Sequence, residues 1–178
     1  MKIRKTILFI AMLFIATFAA NAQETATEQK DLDSLYAQKL LKTGTEAPDF
    51  ILPMINNYRI QLSEFRGKYV LLDFWASWCP DCRKDIPAVK TLFEKYGNKV
   101  EFIGVSFDTD HDKWAKCVTD NDMKWRQVSE LKRMREAEIA KSYGVQWIPS
   151  MTLVGPDGKV VLSTVVVERM EKALSEMK

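Results

Sequence analysis

Two cysteines three residues apart are the side chains of this sequence best suited to chemistry. Cys79 and Cys82 have the C-x-x-C spacing and follow a nearly continuous apolar run over residues 68–75. An amphipathic segment comes directly after them, so the pattern predicts a strand, the dithiol and then a helix. The free N–H groups and the dipole at a helix N-terminus favour a thiolate at Cys79, the species that attacks disulfides. Cys82, one helical turn further, would close the disulfide and expel the product.

Other uses of this pair are an inert structural disulfide or half of a zinc site. Zinc would need further ligands, and the remaining histidine and cysteine, His111 and Cys117, stand at no recognisable spacing. We therefore expect redox chemistry and no metal. Cys117 is expected to be a buried free thiol on a helix, and His111 to lie exposed at a helix start.

The start of the chain has the pattern of a secretory signal peptide, which we assign to residues 1–22. Three basic side chains lie in residues 1–6, residues 7–20 are nearly all apolar, and residues 20–22 form the small-x-small pattern Ala-Asn-Ala. We predict cleavage before Gln23 and a periplasmic location. The apolar run is short for a membrane span, and an uncleaved membrane anchor is the alternative.

Cleavage would change both the size and the charge of the chain. It leaves 156 residues, a normal size for one domain, and lowers the formal charge from +2 to −1. The positive charge therefore belongs to the signal peptide, and no nucleic-acid partner is predicted. We expect a polar leader or tether over residues 23–43, with a short helix in its second half, and one domain over residues 44–178.

The order of elements in this domain predicts an α/β fold. We expect a β-hairpin, then a βαβαβα unit, then two strands and a closing helix, with helices covering a mixed sheet. Residues 68–75 and 100–107 are predicted to be buried parallel strands that a crossover helix connects. Residues 131–143 are predicted to form a helix that ends at Gly144, and residues 151–167 a hairpin.

Three motifs carry a resemblance to a known family: Ala47-Pro48-Asp49-Phe50, the stretch from Phe74 to Cys82, and the stretch from Tyr143 to Ser150. Over residues 45–178 the chain resembles the thioredoxin-like superfamily and, more narrowly, the exported TlpA/ResA-type thiol–disulfide oxidoreductases, which are related to the AhpC/TSA and redoxin groups. The resemblance implies a thioredoxin-like fold, no bound cofactor, disulfide-containing protein substrates and a membrane reductase as electron donor. We also expect a monomer.

The same resemblance implies roles for residues around the dithiol. Pro149 would be cis and pack beside the cysteines, turning the backbone of Ile148 outward to pair with an extended peptide substrate. The alternative is a trans proline that merely starts a strand. Trp78 would shield the nucleophile and offer a flat contact surface, with packing in the core as the alternative.

Asp73 lies six residues before Cys79, as the buried aspartate of thioredoxin does. Burial would raise the pKa of such a carboxyl, which could then take the proton from Cys82. The alternative is a carboxylate in a salt bridge at the strand end. The lysine found near this acid in thioredoxin aligns with Gly104, so we expect no such ion pair here.

The function predicted from these residues is thiol–disulfide exchange, with the protein as the reductant. A peroxiredoxin is one alternative, although Ala76 stands where that family has its peroxide-positioning threonine. A binder or chaperone of cysteine-containing peptides without turnover is another. The strength of the dithiol stays open, because Asp81 opposes a thiolate at Cys79 while the basic residues after Cys82 favour it.

Overall fold

The computed structural model of the protein describes residues 32–177, so the predicted signal peptide over residues 1–22 and the start of the predicted leader lie outside it. In chain order the elements are α1 (described residues 32–36), β1 (Ile51–Pro53), β2 (Arg59–Gln61), a 3-10 turn (Leu62–Phe65), β3 (Tyr69–Trp75), α2 (Pro80–Tyr96), β4 (Val100–Ser106), α3 (His111–Asp120), β5 (Arg126–Ser129), α4 (Glu138–Tyr143), β6 (Ser150–Val154), β7 (Val160–Thr164) and α5 (Val167–Ser175). The predicted order of hairpin, βαβαβα unit and ββα unit is confirmed. No helix in residues 32–177 is long and apolar enough to cross a membrane.

A five-stranded mixed sheet forms the centre of the fold, with the strand order β5-β4-β3-β6-β7. The pairs β3–β4 and β4–β5 are parallel, whereas β3–β6 and β6–β7 are antiparallel. The hairpin of β1 and β2 lies outside this sheet and reaches the β5 edge through a bridge between Met54 and Val128. Because β3 is the middle strand, its carboxyl end delivers the dithiol to the centre of one edge of the sheet.

Strand β3 has few polar residues because it lies in the core. Six of its seven residues are buried, as expected for a central strand with both faces covered. Three tryptophans, Trp75, Trp114 and Trp125, are also buried in the core.

The predicted helix over residues 131–143 is wrong in its first half. Leu131 has a φ of 52°, in the left-handed region, and its N–H donates to Ser129 Oγ at 2.9 Å. The segment that follows forms turns, and α4 covers only the second half of the predicted range. In the first turn of α4, the Ile139 N–H donates a hydrogen bond to Glu130 Oε1 at 2.9 Å. These local side-chain bonds override the helical propensity of the segment.

The N-terminal segment packs on the domain. The Asp33 carboxylate in α1 accepts hydrogen bonds from Thr164 Oγ1 and the Val165 N–H, both at 2.8 Å, at the end of β7. Further along the segment, Leu40 is part of the hydrophobic core. Residues 32–43 of the predicted tether are therefore in contact with the folded domain.

Candidate active site

The two cysteines lie at the N-terminus of α2, as predicted. Cys79 is the N-cap residue, and the backbone N–H of Cys82 donates to Cys79 Sγ at 3.2 Å. The two residues form a disulfide, with their Cα atoms 5.3 Å apart. Pro80 occupies the first position of the helix, where its missing N–H would have no intrahelical partner. A sulfur at this position receives the free N–H groups of the helix end, so a Cys79 thiolate would be stabilised there.

The loop before β6 borders the dithiol. The Ile148–Pro149 peptide bond is cis, which confirms the expectation from the resemblance. The carbonyl oxygen of Ile148 lies 3.7 Å from Cys79 Sγ. Ile148 and Pro149 therefore border the sulfur of Cys79, and their substrate-binding role stays a prediction.

Asp73 is the buried acid of this site. It lies in β3 and is 5% exposed, and burial raises its pKa to about 7, with a smaller contribution from the negative charge of Asp85. In the described part of the chain no cation contributes to this shift. The register of the sheet pairs Asp73 with Gly104, the position predicted for the thioredoxin lysine. The alternative of a salt-bridged carboxylate at the strand end is therefore wrong.

A small cavity connects this acid with the second cysteine. Asp73, Cys82 and Pro149 are among its lining residues, and its volume is about 10 Å³. This volume is close to the minimum that one water molecule needs. Asp73 and Cys82 therefore line the same small and mostly apolar space.

Gln127 is a residue near this site that the sequence did not point to. Its Oε1 accepts a hydrogen bond from Trp75 Nε1 at 3.0 Å, and the side chain is buried. The amide extends over Gly104, where an added Cβ would overlap it. The neutral amide of Gln127 thus fills the space over Gly104, the residue that pairs with Asp73 in the sheet. No periodicity could have indicated this contact, because Gln127 is brought in from β5 by the sheet register.

A buried carboxylate also fixes the turn that leads into the dithiol. Asp108 accepts hydrogen bonds from the Ser77 N–H at 2.9 Å, from Ser77 Oγ at 2.6 Å and from Ser106 Oγ at 2.7 Å. Asp108 follows β4, and Ser77 follows the parallel strand β3, so both lie at the same edge of the sheet. This shared edge is the signal that could have identified Asp108 from sequence.

The tryptophans near the dithiol differ in burial from those of the core. Trp78 is 58% exposed, so the alternative that it packs in the core is wrong. Trp147 is 41% exposed and stacks on Tyr36, with the ring centroids 4.2 Å apart. The predicted role of Trp78 as a contact surface is compatible with its position directly before Cys79.

The third cysteine and the histidine are not part of this arrangement. Cys117 is a half-buried free thiol rather than a fully buried one, and burial raises its pKa. His111 begins α3, as predicted, but it is half-buried rather than exposed. Its Nε2 lies 2.9 Å from the Ile55 carbonyl oxygen, and this hydrogen bond raises the pKa of the imidazole. Within residues 32–177 no group of three or more His, Cys, Asp or Glu side chains could hold a metal ion.

Known proteins resemble both the sequence and this geometry. The AhpC/TSA family matches residues 43–163. The thiol-disulfide oxidoreductase ResA of Bacillus thuringiensis subsp. konkukian is 34% identical over 125 residues, which cover 70% of each chain. A thiol-disulfide oxidoreductase from Bacteroides fragilis superposes with a TM-score of 0.70 at 29% identity, over 74% of this chain and 98% of the other. A thiol:disulfide interchange protein from a Bacteroides species superposes with a TM-score of 0.67 at 29% identity, over 78% of this chain and 93% of the other.

These similarities extend across the whole site, because the matched region includes the cysteines, Asp73 and Pro149. The solved structures share the fold of this chain. The family match spans more than half of the chain, and the ResA relative covers more than two thirds of both sequences. The chain therefore belongs to the AhpC/TSA family and, within it, to the thioredoxin-like enzymes of the ResA type that exchange thiols and disulfides.

Proposed function

We propose that this enzyme works outside the cytoplasm, in the periplasm, as a reductant of disulfides in proteins. The observation that carries the proposal is the combination of an N-capping Cys79, bonded to Cys82, with the buried acid Asp73 beside the second sulfur. The first sulfur is placed to attack, the second to resolve, and the acid to accept the proton of the second.

The reaction proceeds in two exchanges. In the reduced protein the Cys79 thiolate attacks one sulfur of a substrate disulfide, the substrate S–S bond breaks, and the other substrate sulfur leaves as a thiolate. The Cys82 thiolate then attacks Cys79, forms the Cys79–Cys82 disulfide and releases the second substrate sulfur. Two electrons pass from the protein dithiol to the substrate, and the two released thiolates take up the two protons that the dithiol loses.

Asp73 acts in the second exchange. With a pKa of about 7 it is substantially ionised near neutral pH and can still hold a proton there, which is the range in which a general base is most effective. The cavity that it shares with Cys82 has room for about one water molecule, which would relay the proton. Asp73 thus makes Cys82 nucleophilic when the mixed disulfide has formed.

The charges around the dithiol support a reductant rather than an oxidant. An oxidant needs a strongly stabilised Cys79 thiolate, because this stabilises the reduced form. Here the Ile148 carbonyl oxygen faces the sulfur, and Asp85 adds a half-buried acid whose pKa is raised by burial and by Glu168. The Lys84 ammonium, which could have favoured the thiolate, pairs with Asp81 at 3.1 Å.

Export and the electron donor complete the proposal. The signal-peptide pattern over residues 1–22 supports a periplasmic location, where the enzyme needs a donor to return its disulfide to the dithiol. The family resemblance supports a membrane reductase that passes electrons across the inner membrane to a dithiol. The enzyme requires no bound cofactor and acts as a monomer.

The experiment that tests this function compares single cysteine variants in the reduction of insulin disulfides. Cys79→Ser should abolish reduction, because the attacking sulfur is lost, whereas Cys117→Ser, the matched control, should retain the parental rate. Cys82→Ser should accumulate mixed disulfides with substrate, because the resolving step is missing. Full insulin reduction by Cys79→Ser would refute the proposal. A Cys82→Ser variant that traps nothing would indicate a binder without turnover, and rapid peroxide consumption would indicate a peroxiredoxin.

A further inference from the structure

Two tryptophans lie in the two loops that meet at the reactive sulfur. Trp78 directly precedes Cys79 in the chain, and Trp147 directly precedes Ile148. The Ile148 carbonyl oxygen lies 3.7 Å from Cys79 Sγ, so both loops meet at the sulfur. Both indoles expose two fifths or more of their surface. Aromatic surface of this extent beside a reactive group is typical of a binding surface.

Tyr36 adds a third ring from a distant part of the chain. Its ring stacks on that of Trp147, with a centroid distance of 4.2 Å and an angle of 24° between the planes. The position of α1 is fixed independently, because Asp33, one turn earlier, binds Thr164 and Val165 and also forms an ion pair with Arg169. The Tyr36 ring is therefore held against Trp147 by a docked helix.

We propose that Tyr36, Trp147 and Trp78 form an aromatic rim that binds an aromatic or aliphatic side chain next to the reacting cysteine of a polypeptide substrate. This proposal rests on the function proposed above and adds the class of substrate that the site prefers. Tyr36 is a specificity-determining residue, because it supports one face of Trp147 and extends the apolar surface of the rim.

The geometry of the sulfur favours an extended polypeptide as the occupant. Cys79 is only 5% exposed, so a substrate must approach it with a narrow segment. A peptide that runs along Ile148 as an added strand presents its side chains alternately to opposite faces. The side chains that flank its cysteine would then contact Trp78 and Trp147. An apolar side chain gains burial and ring contacts there, whereas a small polar one leaves the indoles in water.

The test uses the reduced full chain and two peptides that differ in one residue. Both contain one cysteine in a mixed disulfide with thionitrobenzoate, and the residue before this cysteine is tryptophan in one peptide and serine in the other. The measured quantity is the ratio of the two second-order rate constants for release of thionitrobenzoate. The parental chain should prefer the tryptophan peptide about tenfold, which corresponds to about 1.4 kcal/mol, within the range of one aromatic contact.

The variants separate the rim from a general effect on folding. Tyr36→Ala should reduce the ratio to about two, and Tyr36→Phe should retain the parental ratio because the ring remains. Trp147→Ala removes the ring on which Tyr36 stacks and should reduce the ratio as much as Tyr36→Ala does. It therefore tests the rim even if Tyr36→Ala also loosens α1. Tyr58→Ala is the matched control, since Tyr58 is an exposed tyrosine of the β1–β2 hairpin, which reaches the sheet at its edge strand β5, and it should leave the ratio unchanged.

The outcomes distinguish this proposal from the function on which it rests. Equal rates for the two peptides in the parental chain, or an unchanged ratio in both Tyr36→Ala and Trp147→Ala, would overturn the aromatic rim while thiol–disulfide exchange stands. The exchange function itself would be overturned if the parental chain reduced neither the two peptides nor the small disulfide that two thionitrobenzoates form.

Discussion

At the scale of single residues, the proposed chemistry depends on Asp73, a buried carboxyl whose pKa is shifted by no cation among residues 32–177. The sequence predicted this acid, because Asp73 lies in an apolar strand six residues before Cys79, and it predicted the missing cation at Gly104. The Gln127 amide beside the acid has no local signal, because only the strand register brings it there. The Asp108 carboxylate that binds the Ser77 turn could have been inferred, because Asp108 and Ser77 follow two neighbouring parallel strands at the same edge of the sheet.

Asp73 should make the stability of the enzyme depend on pH. Its folded pKa of about 7 lies above its ordinary value of 3.8, so the folded state holds a proton that the unfolded state releases. Stability is therefore lost as the pH rises from about 4 to about 7 and stays constant above that range. Asp73→Asn should remove this loss and raise the free energy of unfolding at pH 8 by about 2–4 kcal/mol, with little change at pH 4.

Urea unfolding of the oxidised protein at both pH values measures this effect. Asp112→Asn, at a fully exposed side chain, is the control and should change stability by no more than about 0.5 kcal/mol. A gain for Asp73→Asn that is the same at pH 4 and pH 8 would show that the carboxyl is not titrating as described.

The same carboxyl should control the resolving step. In the parental enzyme, the rate at which Cys82 resolves a mixed disulfide should rise with pH through about 7, as Asp73 ionises. Asp73→Asn should lose this step in the profile and resolve about 10²-fold more slowly at pH 7.5, the usual contribution of a general base. Acid quenching and mass spectrometry of the mixed disulfide give the rate. A parental pH profile in Asp73→Asn would exclude the proton-accepting role.

At the scale of elements, the alternation of strands and helices could be predicted because β3 and β4 are apolar and the helices between them have clear periodicity. The exceptions are segments whose conformation depends on single side chains or on contacts far along the chain. Residues 131–137 form turns because Ser129 and Glu130 bind the backbone that follows them. The docking of α1 was not predictable, because Asp33 and Tyr36 bind partners at the other end of the chain.

The contact between the N-terminal segment and the end of α4 can be tested with two glycines. Gly144 has a φ of 67°, and a Cβ there would overlap the Lys39 carbonyl oxygen, whereas Gly44 has a φ of 84° and no atom within 4 Å of an added Cβ. Both alanine variants suffer the left-handed backbone penalty of about 1 kcal/mol. Gly144→Ala should cost about 1–3 kcal/mol more than Gly44→Ala, because the chain must also move at Lys39.

Free energies of unfolding in urea give this comparison. Equal losses in the two variants would mean that the segment around Lys39 does not lie against α4 in solution.

At the scale of the whole molecule, the folded unit includes part of the predicted tether. Leu40 is 3% exposed, whereas Leu35, in α1, is 58% exposed. Leu40→Ala should therefore lower the free energy of unfolding by about 2–4 kcal/mol, and Leu35→Ala by less than about 0.5 kcal/mol. Thermal and urea unfolding of the two variants measure the difference. A loss for Leu40→Ala no larger than that for Leu35→Ala would place the N-terminal segment outside the cooperative core.

The direction of electron flow is a property of the whole enzyme, because it combines the helix dipole, the buried acid and the surrounding charges. The reduction potential of the Cys79–Cys82 pair measures it directly, by equilibration of the full chain with dithiol or glutathione buffers and quantification of the two redox forms. If the enzyme is a reductant, its reduction potential should be close to that of thioredoxin, about −270 mV. A value close to −120 mV, typical of a strong oxidant, would contradict the proposed function.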